Sequence, residues 1–122
     1  MILGFKPQFV EKILDGTKIH TIRQDIHGRW KEGRGIQFAT GVRTPNYKCF
    51  KVGVCQSTQK ISIRYREGVE YPDIYVDEEN LWKSKMVGAL SRNDGFPYIL
   101  KLIRWFNKDF TGKIIHWTDY RY

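Results

Sequence analysis

The sequence predicts an α+β domain, a small and mostly antiparallel β-barrel with helices packed against it. Three observations carry this. Phe50, Val52 and Val54 alternate with Lys51, Gly53 and Cys55, and Ile61, Ile63 and Tyr65 alternate with Ser62, Arg64 and Arg66, which is the two-residue period of strands. From Trp82 onward the apolar spacing lengthens to that of helices. No strand–helix–strand repeat appears, so a parallel, doubly wound sheet is not expected.

The elements follow in chain order. Ile2-Leu3-Gly4-Phe5 reads as a short strand. Pro7 suits the first turn of a helix over Pro7–Asp15, with Phe9, Val10, Ile13 and Leu14 on one face and Gly16 as a left-handed cap. Ile19 and Ile22 belong to an extended segment. The Gly33 and Gly35 turn introduces a buried strand over Ile36–Ala39, and the segment Gly41–Tyr47 is a loop by its Gly, Thr, Pro and Asn content. Val69–Val76 is strand-like but acidic, and Pro72 inside it predicts an edge because proline cannot donate to a ladder. Trp82, Met86, Ala89 and Leu90 stripe a helix over Trp82–Asn93. Ile99, Leu102, Ile103 and Phe106 stripe a second over Pro97–Phe106, with Trp105 and Phe106 on its core face. Thr111–Tyr122 reads as the closing strand.

With 122 residues, 41% hydrophobic and 15% aromatic, the chain is long and apolar enough for one domain over residues 1–122. Trp30, Trp82, Trp105 and Trp117 are spread so that both halves contribute to one core. No apolar run approaches the ~20 residues of a membrane span, and the N-terminus has neither the basic start nor the apolar stretch of a signal peptide. Cys49 and Cys55 have no neighbouring His and no further Cys, so zinc is not expected, and they read as two reduced thiols of a cytoplasmic protein. A monomer without metal or cofactor is the expectation.

The formal net charge is +8, and it is unevenly placed. Lys18, Arg23, Arg29, Lys31, Arg34, Arg43 and Lys48 face only Asp25 and Glu32 over residues 18–48. Glu67, Glu70, Asp73, Asp77, Glu78 and Glu79 occupy residues 67–79 without a base. A basic segment interleaved with Trp30, Phe38 and Tyr47 suits a phosphate-bearing partner such as RNA or a nucleotide. The plainer reading is a solvated basic surface that aids solubility.

The most informative stretch is Gly16-Thr17-Lys18-Ile19-His20-Thr21-Ile22-Arg23, which leaves a helix cap and enters an extended segment. In a strand Lys18, His20 and Ile22 point one way and Thr17, Ile19, Thr21 and Arg23 the other, so Lys18 and Thr21 share a side only across a turn. Most such octets are a surface lysine, a strand threonine and a surface arginine.

This octet also matches the pattern G-x-K-x-x-T-x-R, through which the chain resembles the ASCH domain family. Gly4-Phe5-Lys6-Pro7, Arg29-Trp30-Lys31-Glu32-Gly33 ahead of a strand, Asp94-Gly95-Phe96 and the strand from Ile114 extend the resemblance over nearly the whole sequence. It implies a PUA-like β-barrel with flanking helices and a ligand cleft lined by the octet. ASCH domains resemble RNA-binding PUA domains. One bacterial branch hydrolyses the acetyl amide of N(4)-acetylcytidine and carries Thr, as here, at the sixth octet position where Glu is frequent. That branch's catalytic Lys and Thr correspond to Lys18 and Thr21. Its catalytic Glu falls where this chain has Asp94, one methylene shorter. Its members are also shorter than this chain, which adds the loop Gly41–Tyr47 and the acidic strand.

The chemistry implied is physically coherent. A threonine hydroxyl attacks only when a base takes its proton, and a lysine amine serves only when burial or a neighbouring cation lowers its pKa. Arg23 is close enough in sequence to contribute that lowering and to stabilise an oxyanion. A carboxylate at Asp94 could orient Lys18. The same groups would equally grip a ligand, Lys18 and Arg23 a phosphate and Thr21 a base edge. Further ligand contacts are expected from His20, Trp30, Arg29 and Arg43. Trp30 either stacks on a base or packs over the turn at Gly33, and His20 stands at the pocket rim or as a satisfied strand residue. The leading expectation is therefore a module binding a nucleobase, nucleoside or RNA segment around Lys18, Thr21 and Arg23. The alternatives are an amide hydrolase acting on an acylated nucleoside, a ribonuclease, and an interaction module with no nucleic-acid ligand.

Overall fold

The structure is a computed structural model describing residues 1–122. In order it runs β1 (Ile2–Gly4), a 3-10 turn (Pro7–Phe9), α1 (Val10–Leu14), β2 (His20–Arg23), β3 (Gly35–Thr40), β4 (Lys48–Val54), β5 (Ser57–Arg64), β6 (Asp73–Val76), β7 (Glu79–Asn80), α2 (Val87–Asn93), α3 (Ile99–Trp105) and β8 (Phe110–His116). One sheet has the order β1-β3-β4, with β1 parallel to β3. The other is wholly antiparallel in the order β2-β8-β5-β6-β7. The α+β class and the mostly antiparallel pairing match the sequence reading. The closed barrel does not: no ladder joins the two sheets.

Alternation explains the larger sheet. On β5 the buried Gln59, Ile61 and Ile63 alternate with the more exposed Lys60, Ser62 and Arg64. The register places Ile61 opposite Val76 and Ile63 opposite Ile74, so one face is continuous and apolar. Val87 and Leu90 of α2, Leu102 of α3, Ile13 of α1 and Phe38 of β3 belong to the same buried cluster.

Several elements differ from the sequence reading for identifiable reasons. Pro72 lies just outside β6, and β6 is not an edge, because the chain doubles back through Asp77 and Glu78 at φ 46° and 70° and pairs β7 against it. The Asp77 carboxylate holds this turn by accepting from the Lys60 N–H and from Gln59 Nε2, both at 3.0 Å. The helix expected from Trp82 begins only at Val87, because Lys85 adopts φ 61° and residues 81–85 form turns. The closing strand stops at His116, and residues 117–122 turn back until the Tyr122 N–H reaches Gln59 Oε1 at 2.9 Å. Trp30 is only 6% exposed and packs in the core instead of stacking on a ligand. Asp25 seats it by accepting from the N–H groups of Arg29 and Trp30, while Lys113 pairs with the same carboxylate at 3.0 Å.

Two backbone bonds tie the octet to the helices, and a third closes the turn that it faces. The Lys18 N–H donates to the Lys12 carbonyl at the end of α1, and the Ile19 N–H donates to the Asn93 carbonyl at the end of α2, at 2.9 and 2.8 Å. The Phe96 N–H donates to Ser91 O at 2.9 Å and closes the turn after α2. Gly95 in that turn has φ 93°, and a side chain there would meet both Lys18 and Phe9 at 3.0 Å.

Gly112 on β8 is the most closely packed of the glycines, since a Cβ there would stand 2.3 Å from the Arg23 carbonyl and 2.7 Å from the Phe110 ring. Backbone cannot give as a flexible side chain can, so Gly112→Ala is expected to destabilise by about 1–3 kcal/mol. Gly35→Ala, at a position with open space and no positive φ, should stay within about 0.5 kcal/mol of wild type. Urea unfolding of the two variants checks this, and equal midpoints would contradict it.

Candidate ligand-binding site

Lys18 lies in the extended stretch before β2, and its side chain is 2% exposed. Its Nζ donates to the Asp94 backbone carbonyl at 2.6 Å and lies 3.3 Å from Asp94 Oδ1. It also sits 4.8 Å from the Phe9 ring centroid and 5.7 Å from that of Phe5. Burial pushes the Lys18 pKa below the ordinary lysine value, while Asp94 opposes that shift by charge and hydrogen bond.

His20 is wholly buried, and its Nδ1 is 3.0 Å from the same Asp94 Oδ1. Its Nε2 is 2.7 Å from the Tyr122 hydroxyl, which also receives Asn93 Nδ2 at 3.0 Å. Burial lowers the His20 pKa and raises that of Tyr122, so a neutral imidazole faces a protonated phenol. One proton assignment satisfies all four groups. A carboxylate only accepts, so Nδ1 carries the hydrogen. Nε2 then accepts from the phenol, whose oxygen accepts from the Asn93 amide.

The network continues away from the pocket. Gln59 Oε1 accepts from the Tyr122 N–H at 2.9 Å and from His116 Nε2 at 3.0 Å, while Gln59 Nε2 donates to the Tyr122 carbonyl at 2.9 Å. His116 is fully buried with Nδ1 unpartnered. Its pKa is pushed down to about 3 by burial and then by His20 and Arg121.

On the other side of Asp94 the octet faces a pocket of about 290 Å³. Lys6, Thr21, Arg23 and Asp94 supply its polar groups, and Phe5, Phe9, Phe96, Trp105 and Phe106 supply aromatic walls. Arg23 Nε donates to Thr21 Oγ1 at 3.2 Å, Nη2 donates to the Gly4 carbonyl at 2.6 Å, and the guanidinium lies 5.0 Å from the Phe5 centroid. Arg23 is thus held from three sides before any ligand arrives.

The structure therefore brings Lys18, Thr21, Arg23 and Asp94 together. Thr21, Arg23 and Asp94 line the pocket. Lys18 lies behind them, bonded to Asp94 and not to Thr21, whose hydroxyl is engaged by Arg23. The other residues expected to contact a ligand lie outside the pocket, and His20 is the satisfied strand residue that was one of its two expected roles. His20 is not at a rim, because it is sealed behind Asp94. Trp30 is in the core. Arg29 and Arg43 are exposed in the loops after β2 and β3, and neither lines the pocket. Sequence reasoning missed Asn93 and Tyr122, which carry no recognisable signal, and it assigned Trp105 to the helix core face. Trp105 is 45% exposed, and its place at the border of the apolar stripe, next to Arg104, was the available clue.

A larger concavity of about 720 Å³ crosses β5, β6 and β8 beside Lys60, Ser62, Tyr75 and Lys113. It contains none of the octet's polar groups, and Lys113 is already paired with Asp25, so the smaller pocket is the better candidate. No three His, Cys, Asp or Glu side chains are grouped to hold a metal ion, and no helix is long and apolar enough to cross a membrane. No family model, curated protein or solved structure matches the chain.

The two buried histidines give stability a defined pH dependence. Unfolded histidine titrates near ~6.5, whereas folded His20 is shifted below its ordinary value and folded His116 to about 3. Below ~6.5 the unfolded chain binds protons that the folded chain refuses, so stability present above that pH is lost as pH falls, by up to about 1.4 kcal/mol per pH unit for each histidine. Urea midpoints at pH 7.5, 6 and 5 should fall steadily, above the range in which ordinary carboxylates titrate. A flat profile over that interval would exclude neutral buried histidines.

Proposed function

We propose that the Thr21, Arg23 and Asp94 pocket binds a single nucleobase, carried by a nucleoside or nucleotide, in a PUA-like module of the ASCH kind. The observation that carries this reading is the convergence of a hydroxyl, a guanidinium and a carboxylate on one aromatic-walled pocket. Aromatic side chains offer stacking surfaces to a flat ring. Asp94 offers an acceptor to an exocyclic amine, while Arg23 and Thr21 offer donors to a ring carbonyl, a combination that suits a base such as cytosine. At about 290 Å³ the pocket is at the small end for ligand sites, which favours one base over a length of polymer. The bases of residues 18–48 add little to it, since only Arg23 lines the pocket and Lys18 stands behind it.

Amide hydrolysis of an acylated nucleoside is a second reading, favoured by the depressed pKa of Lys18 and by the Thr21 hydroxyl on the pocket wall. Thr21 Oγ would attack the amide carbon with its proton passing to a base, the amine would leave protonated, and water would release the acyl group from the threonine. Lys18 must exchange its bond to Asp94 for one to Thr21 to act as that base. Binding is therefore the preferred reading.

Calorimetric titration with cytidine and N(4)-acetylcytidine tests both. Arg23→Lys, which keeps the charge but loses the fork, should weaken binding about tenfold or more, the scale of a charged hydrogen bond. Thr21→Ala should weaken it less, within about tenfold. If wild type binds neither ligand, the nucleobase reading fails. Acetate release by wild type that disappears in Thr21→Ala, with binding retained, would promote the hydrolase reading, and absence of release would discard it for that substrate.

A further inference from the structure

We propose that a second concavity, sharing a wall with the base pocket, is an anion subsite that takes the phosphate of a nucleotide. The proposal rests on the nucleobase reading for the rest of its ligand. This cavity, of about 460 Å³, is lined by Gln8, Lys12, Lys101 and Arg104 with no acidic side chain, and Phe96 and Trp105 line both it and the base pocket. Glu11, the neighbour of Lys12 in sequence, does not line it.

Its bases are available. None of the chain's ion pairs or side-chain hydrogen bonds involves Lys101 or Arg104. Their positions three apart on α3 set two like charges on one helix face, which costs stability when nothing lies between them. Lys12 donates one hydrogen to the Gly95 carbonyl at 2.7 Å, which anchors its ammonium beside the cavity and leaves two donors free. Lys6, which lines the base pocket and not this cavity, holds its ammonium 5.7 Å from the centroid of the Trp105 ring that the two share. An arginine fork beside lysine ammoniums, with no carboxylate among the residues lining the cavity, matches the charge and geometry of a phosphate.

Trp105 then has two roles. One part of its surface walls the base pocket and another walls the basic cavity, so a nucleotide lying across it places its base on Arg23 and Asp94 and its phosphate on Lys12, Lys101 and Arg104. These bases lie outside the basic segment that the charge pattern of the sequence singled out.

The test compares cytidine, cytidine 5′-monophosphate and inorganic phosphate on wild type and on the double variant Lys101→Gln/Arg104→Gln, whose altered side chains are both exposed. Calorimetry at low ionic strength should show the monophosphate binding about tenfold more tightly than cytidine. NMR titration with inorganic phosphate should shift the Lys101, Arg104 and Trp105 signals. The double variant should lose both effects and keep its affinity for cytidine. Equal affinities in wild type, an advantage that survives in the variant, or phosphate that shifts none of the three residues would each overturn the subsite. Failure of the base pocket is separately visible as absent cytidine binding with the phosphate response intact. A cytidine-containing trinucleotide distinguishes the source: further tightening over the monophosphate assigns the phosphate to an RNA strand, and no tightening assigns it to a free nucleotide.

Discussion

One carboxylate organises the candidate site. Asp94 Oδ1 holds the Lys18 ammonium at 3.3 Å and the His20 imidazole at 3.0 Å, and its backbone carbonyl takes a second bond from Lys18. A lysine 2% exposed is tolerable only beside such a partner, because a buried charge without compensation costs several kcal/mol, about 3–5 when one member of a pair is removed. The constraint runs both ways. Asp94 keeps its position because two side chains from the other end of the sequence require it there, and β2 keeps its register against α2 because those side chains must reach Asp94.

The remaining architecture serves this contact. The turn after α2 is closed by Gly95 at φ 93°, a conformation that costs side-chain-bearing residues energy, and it aims the Asp94 carboxylate at β2. The tail beyond β8 folds back so that Tyr122 seals the far nitrogen of His20. The Gln59 side-chain amide holds that tail by two bonds to the Tyr122 backbone. Because Lys18 and Asp94 largely neutralise each other, the free charges facing the pocket are those of Lys6 and Arg23, and the geometry of Arg23 is already fixed by Thr21 and Gly4. Preorganisation of this kind lowers the entropy cost of gripping a polar ligand edge.

The legible part of this was local. The octet was readable as a unit because a glycine cap followed by alternating residues is set by neighbours in sequence. The strands β5 and β8 and the helix opened by Pro7 were readable for the same reason. Asp94 is singled out only by the resemblance described above, which aligns a catalytic Glu with it; no local pattern marks it. What could not be read depended on contacts distant in sequence. Trp30 reads equally as a stacking aromatic or as a packed one, and what decides is that Asp25 and Lys113 fold its loop inward. Tyr122 looks like the end of a strand, yet it returns across more than a hundred residues of sequence to meet His20. The open sheets reflect pairing that ends at β4 and β7, which alternation within single strands does not encode. The basic segment 18–48 is a surface property of the sequence, whereas the bases beside the pocket, Lys6, Lys12, Lys101 and Arg104, come from two helical regions joined only by folding.

The protonation state of His20 tests this account most directly. Nitrogen-resolved NMR of the imidazole reports which ring nitrogen carries the proton and whether the ring titrates. The prediction is a hydrogen on Nδ1, shifted downfield by its bond to Asp94, a bare Nε2 facing Tyr122, and a titration displaced below that of an ordinary histidine. A hydrogen on Nε2, or a titration midpoint near ~6.5 as in an unperturbed histidine, would contradict the shared carboxylate as the centre of the site.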